Sequence, residues 1–312
     1  MKPIIQPISV EAIEEELTPE RFLRTTNKGG NEVYVLDGRV AVNTMQEIGR
    51  LREIAFRGSG GGTGKACDID EFDIMNPPCL QLIVWDPENK IILGGYRFIV
   101  GDNVMTDAEG RPRIATSHLF NFSKLFREKY LPGTLELGRS FVRVGYQSSK
   151  AASKTIYALD NLWDGLGALT VVYPQIKYLF GKVTMYPSYG EECRNMILWF
   201  LNKHFHDPEN LVTPIKPLDT HTNADEMRAI FTGSNFDEDY KILNRKVREA
   251  GKNIPPLVNA YMALSPSMRV FGTAINDEFG DVEETGIFFA IDEIYDHKKA
   301  RHIGTFTPKQ QN

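Results

Sequence analysis

The hydrophobic pattern changes its period several times along the middle of the chain, and this alternation constrains the fold more than any other feature. Short apolar runs predict strands, whereas apolar residues at helical spacing predict amphipathic helices. The first two runs are joined by Asp86-Pro87-Glu88-Asn89, a sequence typical of a β-hairpin. Strands are predicted over residues 79–85, 90–100, 134–144 and 176–184, and helices over residues 159–170 and 193–201. This order indicates an α/β or α+β protein with a mixed sheet.

Two helix starts are predicted nearer the beginning of the chain. Thr18-Pro19-Glu20 combines a capping hydroxyl, a proline at the first helical position and an acid in the first turn. Thr44-Met45-Gln46-Glu47 is a capping box, and apolar residues follow it at helical spacing as far as Phe56. This second helix is expected to end in the glycine cluster at 58–64, which favours no regular structure.

The last third of the chain is predicted to be more irregular. Residues 206–255 are polar and mixed, which indicates loops and a short charged helix at 237–249. One or two further strands are predicted, over residues 268–275 and 286–294. No linker-like stretch divides the chain, so one domain is expected rather than two.

Composition argues against several classes of protein. The net charge of −5 is the wrong sign for a general binder of nucleic-acid phosphates. Cys67, Cys79 and Cys193 are too few and too scattered for a disulfide framework, and their spacing predicts no metal site. The first residues contain no apolar signal segment, and no run reaches the ~18–20 apolar residues that span a membrane. We expect a protein of the cytoplasm with no nucleic-acid partner.

The glycine cluster followed by Lys65 resembles a phosphate-binding loop but does not satisfy its pattern. Ser59 stands where the first glycine belongs, and Ala66 stands where a magnesium-binding hydroxyl belongs. A loop over a site is the better interpretation. The six histidines are expected at the surface, and the sequence contains no Gly-x-Ser-x-Gly motif or catalytic cysteine signature.

Residues 134–147 carry the candidate catalytic groups. Glu136 and Arg139 lie three residues apart in an otherwise apolar strand, a spacing that points the two side chains to opposite faces. Gly138 between them is a position where a β-bulge could bring both to one face. Burial raises the pKa of an unpaired carboxylate, which suits a general base working near neutral pH. A buried ion pair with a structural role is the open alternative.

Six short segments follow one another between residues 45 and 295. They are Leu51-Arg52-x-x-x-Phe56-Arg57, Asp70-Glu71-Phe72-Asp73, Gly95-Tyr96-Arg97-Phe98, Glu136-Leu137-Gly138-Arg139-Ser140, Tyr178-Leu179-Phe180-Gly181 and Ile254-Pro255-Pro256-Leu257. In this order they resemble the GNAT superfamily of acyltransferases. More narrowly, they resemble the hemolysin-like N-acyltransferases that make lyso-ornithine and lyso-glycine lipids, and the related acyl-homoserine-lactone synthases.

The resemblance implies a GNAT-type fold, with a mixed, splayed central β-sheet flanked by helices. The acyl-pantetheine arm of the donor would lie in the split between the strands at 134–144 and 176–184. The resemblance also implies an N-terminal segment, residues 1–43, that packs on the core. Residues 44–312 would form the acyltransferase domain, with a polar insertion at about 206–255.

The resemblance further implies the acyl donor. Acetyl-CoA enzymes of the superfamily carry Gln/Arg-x-x-Gly-x-Gly/Ala after the first of these strands, and its amides cradle a pyrophosphate at a helix N-terminus. Gln147, Ser148, Ser149 and Lys150 occupy this position here, with Lys150 in place of the central glycine. A single phosphodiester needs fewer amides and accepts a lysine. This favours an acyl carrier protein over acyl-CoA as co-substrate, with no tightly bound cofactor.

An acyl carrier protein is strongly acidic, so a local basic patch is expected to receive it despite the negative net charge. The candidates for this patch are Lys150, Lys154, Arg143 and Lys177. A solvated charged face without a partner is the alternative interpretation.

The resemblance also assigns roles at the site. Glu136 is the candidate general base, directly or through water, and backbone N–H groups at the bulge would stabilise the oxyanion. Arg139 and Arg97 would orient Glu136 or bind a substrate carboxylate. The substrate- and acyl-binding set is Arg52, Phe56, Asp70, Asp73, Arg97 and Ser140, the first four of them in an N-terminal lid. The alternatives are that Phe56 is plain core and that the two aspartates cap a turn.

The expected function is transfer of a fatty or 3-hydroxy fatty acyl group from an acyl carrier protein to the amine of glycine or ornithine. This is the first step of making an acylated amino-acid lipid, and the sequence does not choose between the two acceptors. Two alternatives stay open, a CoA-dependent acetyltransferase of a small amine or protein and a non-catalytic fold that binds acyl carrier or lipid. A lipid product is compatible with transient contact at the inner face of the membrane.

Overall fold

One eight-stranded sheet lies at the centre of the computed structural model, which describes residues 1–145 and 157–308. The strands are β1 (Phe22–Thr25), β2 (Glu32–Asp37), β3 (Leu80–Asp86), β4 (Ile91–Val100), β5 (Phe120–Phe122), β6 (Thr134–Val142), β7 (Tyr178–Met185), β8 (Val212–Pro214), β9 (Arg269–Asn276) and β10 (Val282–Ala290). The sheet order is β1-β2-β3-β4-β6-β7-β10-β9, and β5 pairs with β8 separately. Only β6 and β7 are parallel neighbours among these strands, so the sheet is mixed and mostly antiparallel.

Helices cover both faces of this sheet. They are α1 (Val10–Glu16), α2 (Val42–Ser59), α3 (Glu71–Ile74), α4 (Ala158–Val172), α5 (Glu191–Phe205), α6 (Ala224–Ile230), α7 (Phe236–Glu249), α8 (Pro256–Met262) and α9 (Asp296–His302). Within the described ranges, none of the helices is long and apolar enough to cross a bilayer. The predicted mixed sheet flanked by helices is therefore confirmed.

The hairpin predicted around residue 86 forms as β3 and β4. The Asp86 carboxylate closes its turn by accepting hydrogen bonds from the backbone N–H groups of Glu88 and Asn89, both at 3.0 Å. The Asn89 side-chain amide donates to the same carboxylate at 2.7 Å. Side-chain capping of this kind explains why Asp-Pro-Glu-Asn turns the chain so tightly.

The sheet splits between β6 and β7. Their ladder is short, running from the pair Thr134–Tyr178 to the pair Glu136–Phe180. Beyond that point β6 stays with β4 as far as Val142, whereas β7 stays with β10 as far as Met185. The two central strands therefore diverge, as the resemblance to GNAT enzymes implies.

Alternating side chains of the strands enter different hydrophobic clusters on the two faces. On one face, Leu82 and Val84 of β3 belong to a cluster that includes residues of α4, α5, α7 and α8. On the other face, Ile83 and Trp85 belong to a cluster with residues of α1 and α2. A third cluster, around Phe126, packs on that second face beside the start of β7. The period-two pattern of the strands is thus satisfied on both faces.

Two helix starts near the N-terminus differ from the prediction. Residues after Thr18 make a single turn and then enter strand β1, because that segment pairs with β2. Helix α2 begins at Val42, before the predicted capping box. Glu16 of α1 caps it instead, accepting hydrogen bonds from the Asn43 and Thr44 backbone N–H groups at 3.0 and 2.7 Å. A carboxylate distant in sequence thus replaces the local cap.

The other predicted elements are confirmed within a few residues of their bounds. Helices α4 and α5 and strands β7, β9 and β10 occupy the predicted segments, and α7 spans the charged stretch expected at 237–249. The polar region 206–255 also contains β8 and α6, which the pattern did not indicate. In the predicted N-terminal segment, β1 and β2 form one edge of the main sheet.

Substitution of Phe126 tests how much the third hydrophobic cluster contributes to stability. The Phe126 ring is fully buried and contacts the rings of Phe180, Phe271 and Phe288, with centroids 5.6, 6.2 and 5.9 Å away. We expect Phe126→Ala to lower the free energy of unfolding by about 3–5 kcal/mol, since the site cannot collapse around the lost ring. Leu125→Ala, at the exposed neighbouring position, should cost about 0.5 kcal/mol or less. Denaturant titration measures both, and equal losses would contradict the assignment.

Candidate active site

A β-bulge in β6 shapes the site. Gly95 and Arg97 of β4 are two residues apart, but their partners Phe141 and Gly138 are three residues apart on β6. The stretch of β6 with the extra residue contains Arg139, whose φ of 49° is in the left-handed region. The bulge predicted at Gly138 therefore forms, with the unusual backbone angle one residue later.

The bulge brings Glu136 and Arg139 to one face, as predicted. Glu136 lies opposite Ile99 and Gly138 lies opposite Arg97, so both face the same side as the Arg97 side chain. Arg139 shares a partner with Arg97, since both guanidinium groups contact the Asp70 carboxylate. Without the extra residue, Arg139 would point to the other side of the sheet.

Three arginines and three aspartates meet on this face and form what we call the arginine–aspartate cluster. Its members are Arg52, Arg97, Arg139, Asp68, Asp70 and Asp73. Arg97 Nη1 lies 2.6 Å from Asp70 Oδ1 and 3.2 Å from Asp73 Oδ2. Arg139 Nε lies 2.9 Å from Asp68 Oδ2, and its Nη2 lies 3.3 Å from Asp70 Oδ2. The cluster is charge-balanced, with each cation beside at least one carboxylate.

Arg52 closes the cluster from helix α2. Its Nη1 lies 3.3 Å from Asp73 Oδ1, and its Nη2 donates to the Gln81 side-chain oxygen at 2.5 Å. The Gln81 amide in turn donates to Asp73 Oδ1 at 2.9 Å. Arg52 and Asp73 are fully buried, so here their side chains hold the cluster together. A direct contact with substrate stays a prediction for both.

The aspartates are fixed by the short helix α3. The Asp70 side chain accepts from the Phe72 backbone N–H at 3.0 Å, and the Asp73 side chain accepts from the Asp70 N–H at 3.0 Å. This is a capping box, so the turn-capping alternative describes one part of what they do. The same two carboxylates also hold Arg97, which ties the local turn to the sheet.

Charge pairing dominates the titration of Asp73. Burial alone would raise the pKa of its carboxyl, but the guanidinium groups of Arg52 and Arg97 hold that pKa well below its usual range. Asp73 is therefore a carboxylate throughout the neutral range. Removing its charge would leave two buried cations under-compensated.

Two adjoining cavities occupy the split between β6 and β7. The larger is a cleft of about 810 Å³ and the smaller is a pocket of about 50 Å³. The two spaces meet at side chains that line both of them, namely Phe56, Tyr96, Ser140, Lys182 and Thr184. Phe56 and Ser140, both predicted to bind substrate, thus lie at the junction.

The cleft wall is largely apolar. It includes Leu162 of α4 and Met185 of β7, together with Pro255, Pro256 and Leu257 from one of the family-like segments. The smaller pocket passes through the split, with Arg139 and Lys182 on one face of the sheet. An apolar group in the cleft and a small anion beside the two cations could therefore meet at the junction.

Glu136 lies fully buried on β6 at the point where the two strands part, one residue before Leu137, which lines the smaller pocket. The Thr116 hydroxyl donates to its Oε1 at 3.4 Å. Burial raises the pKa of the Glu136 carboxyl, while Arg97 and Lys182 act in the opposite direction without cancelling it. A Cβ added at Gly138 would meet nothing within 4 Å, so the strand is open to the cavity here. A carboxylate with a raised pKa at this position is suited to accept a proton.

The predicted donor-binding residues cannot be compared with the structure. Gln147, Ser148, Ser149 and Lys150, predicted to bind the phosphopantetheine, lie outside the described residues, as does Lys154.

Two cations of the predicted docking patch lie far apart. Arg143 follows the end of β6, where the split is open, whereas Lys177 precedes β7 at the closed end of the ladder. Strand β7 runs between these levels, and a strand rises about 3.3 Å per residue. Lys177 is therefore a poor candidate for a patch at the opening.

Lys182 of β7 and Glu284 of β10 were not predicted from the sequence. Their side chains form an ion pair in the wall of the split, and Glu284 is fully buried. The signal was present, since a lysine in the apolar strand Tyr178–Met185 is as unusual as Glu136 in β6.

Comparison with known proteins identifies the family. Residues 51–156 match the family model described as an acetyltransferase (GNAT) domain. The glycine N(alpha)-acyltransferase of Bacteroides thetaiotaomicron is 61% identical over 306 residues, covering 98% of this chain and 91% of that protein. The glycine N(alpha)-acyltransferase of Phocaeicola vulgatus is 60% identical over 306 residues, covering 98% and 94%. The chain belongs to this family of N-acyltransferases.

Two solved structures share a more distant likeness to this N-acyltransferase. The AHL synthase LasI gives a TM-score of 0.42 at 12% identity, covering 90% of this chain and 98% of that chain. The CoA-dependent acyl-homoserine lactone synthase BjaI gives 0.38 at 11% identity, covering 91% and 94%. The family assignment rests on the two sequence relatives.

Asp73→Asn tests the arginine–aspartate cluster. At pH 7 we expect it to lower the free energy of unfolding by about 3–5 kcal/mol, because it leaves buried guanidinium groups under-compensated. Since the pKa of Asp73 is depressed in the folded protein, its stabilisation is present above the unfolded pKa of about 3.9 and is lost as the pH falls further. The deficit of the variant should therefore shrink below about pH 4.

Asp225→Asn is the matched control, since Asp225 is an exposed partner of Arg228 on α6. Its cost should be about 0.5 kcal/mol or less. Denaturant titration between pH 3 and 7 measures both variants. A cost for Asp73→Asn no larger than that of the control would show that the cluster contributes little to stability.

Proposed function

We propose that the enzyme transfers a fatty acyl group from the phosphopantetheine thioester of an acyl carrier protein to the amine of glycine. The product, an N-acylglycine, would be the first intermediate of an acylated amino-acid lipid. The observation that carries the proposal is the pair of adjoining cavities in the split, with Glu136 at the point where the two strands part. The larger is a cleft with a largely apolar wall, and Arg139 and Lys182 are charged residues that line the smaller. The names of the two relatives, glycine N(alpha)-acyltransferases, support the acceptor.

The lining of the smaller pocket favours glycine over ornithine. Among the described residues that line it, Arg139 and Lys182 are charged and both are cations. The carboxylate of an amino acid suits such a lining. The second amine of ornithine would need an additional acid there, and none of these lining residues is acidic.

The donor side fits a long acyl chain. The cleft of about 810 Å³ is large enough for a pantetheine arm with part of a hydrocarbon chain, and its apolar wall stabilises methylene groups. Lys150 in place of the loop glycine supports a single phosphodiester, and hence a carrier protein rather than CoA.

The reaction in this arrangement is direct transfer. Glycine enters as an ammonium and releases one proton to solvent. Glu136 accepts a second proton, directly or through water, as the amine nitrogen bonds to the thioester carbonyl carbon. Backbone N–H groups at the bulge stabilise the oxyanion that forms. The carbon–sulfur bond then breaks, and the leaving thiolate takes up the proton that Glu136 holds.

The first test is lipid mass spectrometry on cells that express the chain in a host without acylated amino acids. We expect a new N-acylglycine, because glycine is the acceptor that fits the smaller pocket. The purified enzyme should use acyl carrier protein in preference to acyl-CoA of equal chain length. New N-acylornithine without N-acylglycine would overturn the acceptor, and turnover of acetyl-CoA alone would overturn the acyl group.

Glu136→Gln tests the base. We expect kcat to fall about 10²- to 10⁴-fold while the KM for the acyl donor stays near the wild-type value, since the change removes proton transfer and keeps the shape. In the wild type, kcat/KM should rise with pH through the raised pKa of Glu136, and this limb should vanish in the variant.

Glu32→Gln is the control, because Glu32 is a strand carboxylate on β2 at the far side of β3 and β4. Its activity should match the wild type. Wild-type turnover in Glu136→Gln, with an unchanged pH profile, would remove Glu136 from the reaction.

A further inference from the structure

An amino-acid acceptor needs a cation for its carboxylate, and the arginines near the site already pair with aspartates. Arg97 is fully buried between Asp70 and Asp73. Arg139 reaches the smaller pocket, but its Nε and Nη2 face Asp68 and Asp70. Part of the Arg139 guanidinium is thus turned towards aspartates, and a second cation at the pocket would strengthen the binding of a carboxylate.

Lys182 is that cation by position. It extends from β7 on the face where Phe180 lies opposite Glu136, and it lines both cavities. Its ammonium lies 5.9 Å from the centre of the Phe279 ring, and the Arg139 guanidinium lies 4.8 Å from the same ring. The two cations thus approach one aromatic wall of the smaller pocket.

Glu284 holds the Lys182 ammonium in place. The carboxylate pairs with Lys182, accepts from the Thr184 hydroxyl at 2.7 Å and accepts from the Asn276 amide at 3.2 Å. The Glu284 carboxylate therefore has three partners within the sheet. An ammonium has three protons, and one bond to Glu284 leaves donors for the cavity.

A buried ion pair of this kind needs a reason beyond stability. Taking both charges out of water costs more than a well-packed apolar pair of the same volume would. Lys182 lines both cavities, where a substrate can meet it, and Glu284 is buried behind it. This placement favours a role in binding.

We propose that Lys182 binds the carboxylate of the acceptor amino acid and that Glu284 positions Lys182. The inference rests on the proposed function, in which the acceptor is an amino acid. Lys182 lies two residues beyond Phe180, about 7 Å further along the strand than the level of Glu136. An α-amino acid with a hydrogen bond of about 3 Å at each end spans a similar distance, so its amine can reach the base while its carboxylate stays on Lys182.

The test compares glycine with glycinamide, which has the amine but no carboxylate. The wild type should prefer glycine in kcat/KM. Lys182→Met should reduce this preference about 10- to 100-fold, the size of a charge-assisted hydrogen bond. The loss should appear in the KM for glycine, with the KM for the acyl donor unchanged, which a merely structural role would not produce.

A double variant guards against misfolding. Lys182→Met alone leaves Glu284 buried without its cation, so Lys182→Met/Glu284→Gln removes both charges and keeps an amide for Thr184 and Asn276. Lys203→Met is the matched control. Lys203 also pairs with a buried carboxylate, at 2.6 Å from Asp239, but it does not line either cavity. Its preference for glycine should equal that of the wild type.

The outcomes separate the two proposals. If the wild type acylates glycine and the double variant keeps the full preference over glycinamide, the assignment of Lys182 is overturned while the proposed function stands. If the wild type forms no acylglycine from any donor, the proposed function fails before the variants are compared, and this inference falls with it.

Discussion

The divergence of two parallel strands is the constraint on which the rest of the site depends. Strands β6 and β7 share a ladder that ends at Glu136 and Phe180, and each then follows a different antiparallel neighbour. A gap opened in the middle of a sheet would normally expose unpaired backbone and apolar side chains, at a considerable cost. Here the gap becomes two lined cavities, and residues from both faces of the sheet line the smaller one. The enzyme's polar chemistry is therefore placed inside a hydrophobic layer.

Charge balance makes that placement tolerable. Three guanidinium groups and three carboxylates on one face neutralise one another, and the Lys182–Glu284 pair does the same across β7 and β10. Glu136 differs, because its nearest hydrogen-bond partner is a neutral hydroxyl and burial raises the pKa of its carboxyl. The arrangement separates groups that hold the architecture from one group left able to exchange a proton.

The hydrophobic period along the chain predicted those elements whose structure depends on neighbouring residues in the sequence. The hairpin around Asp86, the strand containing Glu136 and the central helices were all predictable from hydrophobic period, and the resemblance supplied the splayed sheet. The start of α2 was not predictable, because its cap comes from Glu16 on another helix. The partners of Arg52 and of Lys182 also depend on non-local contacts, and β1 is a strand only because β2 lies beside it.

The wall formed by Phe279 has a consequence for how the enzyme is made. Its ring lies in the turn between β9 and β10 and meets Phe56 of α2 edge-on, with centroids 5.1 Å apart. Residues from opposite ends of the chain therefore build the same pocket, and contacts of such long sequence separation form late in folding. A chain whose synthesis has reached only β7 contains Glu136 but has neither the aromatic wall nor the partner of Lys182. The complete pocket therefore requires the chain as far as β10, and a shorter nascent chain lacks one wall of the site.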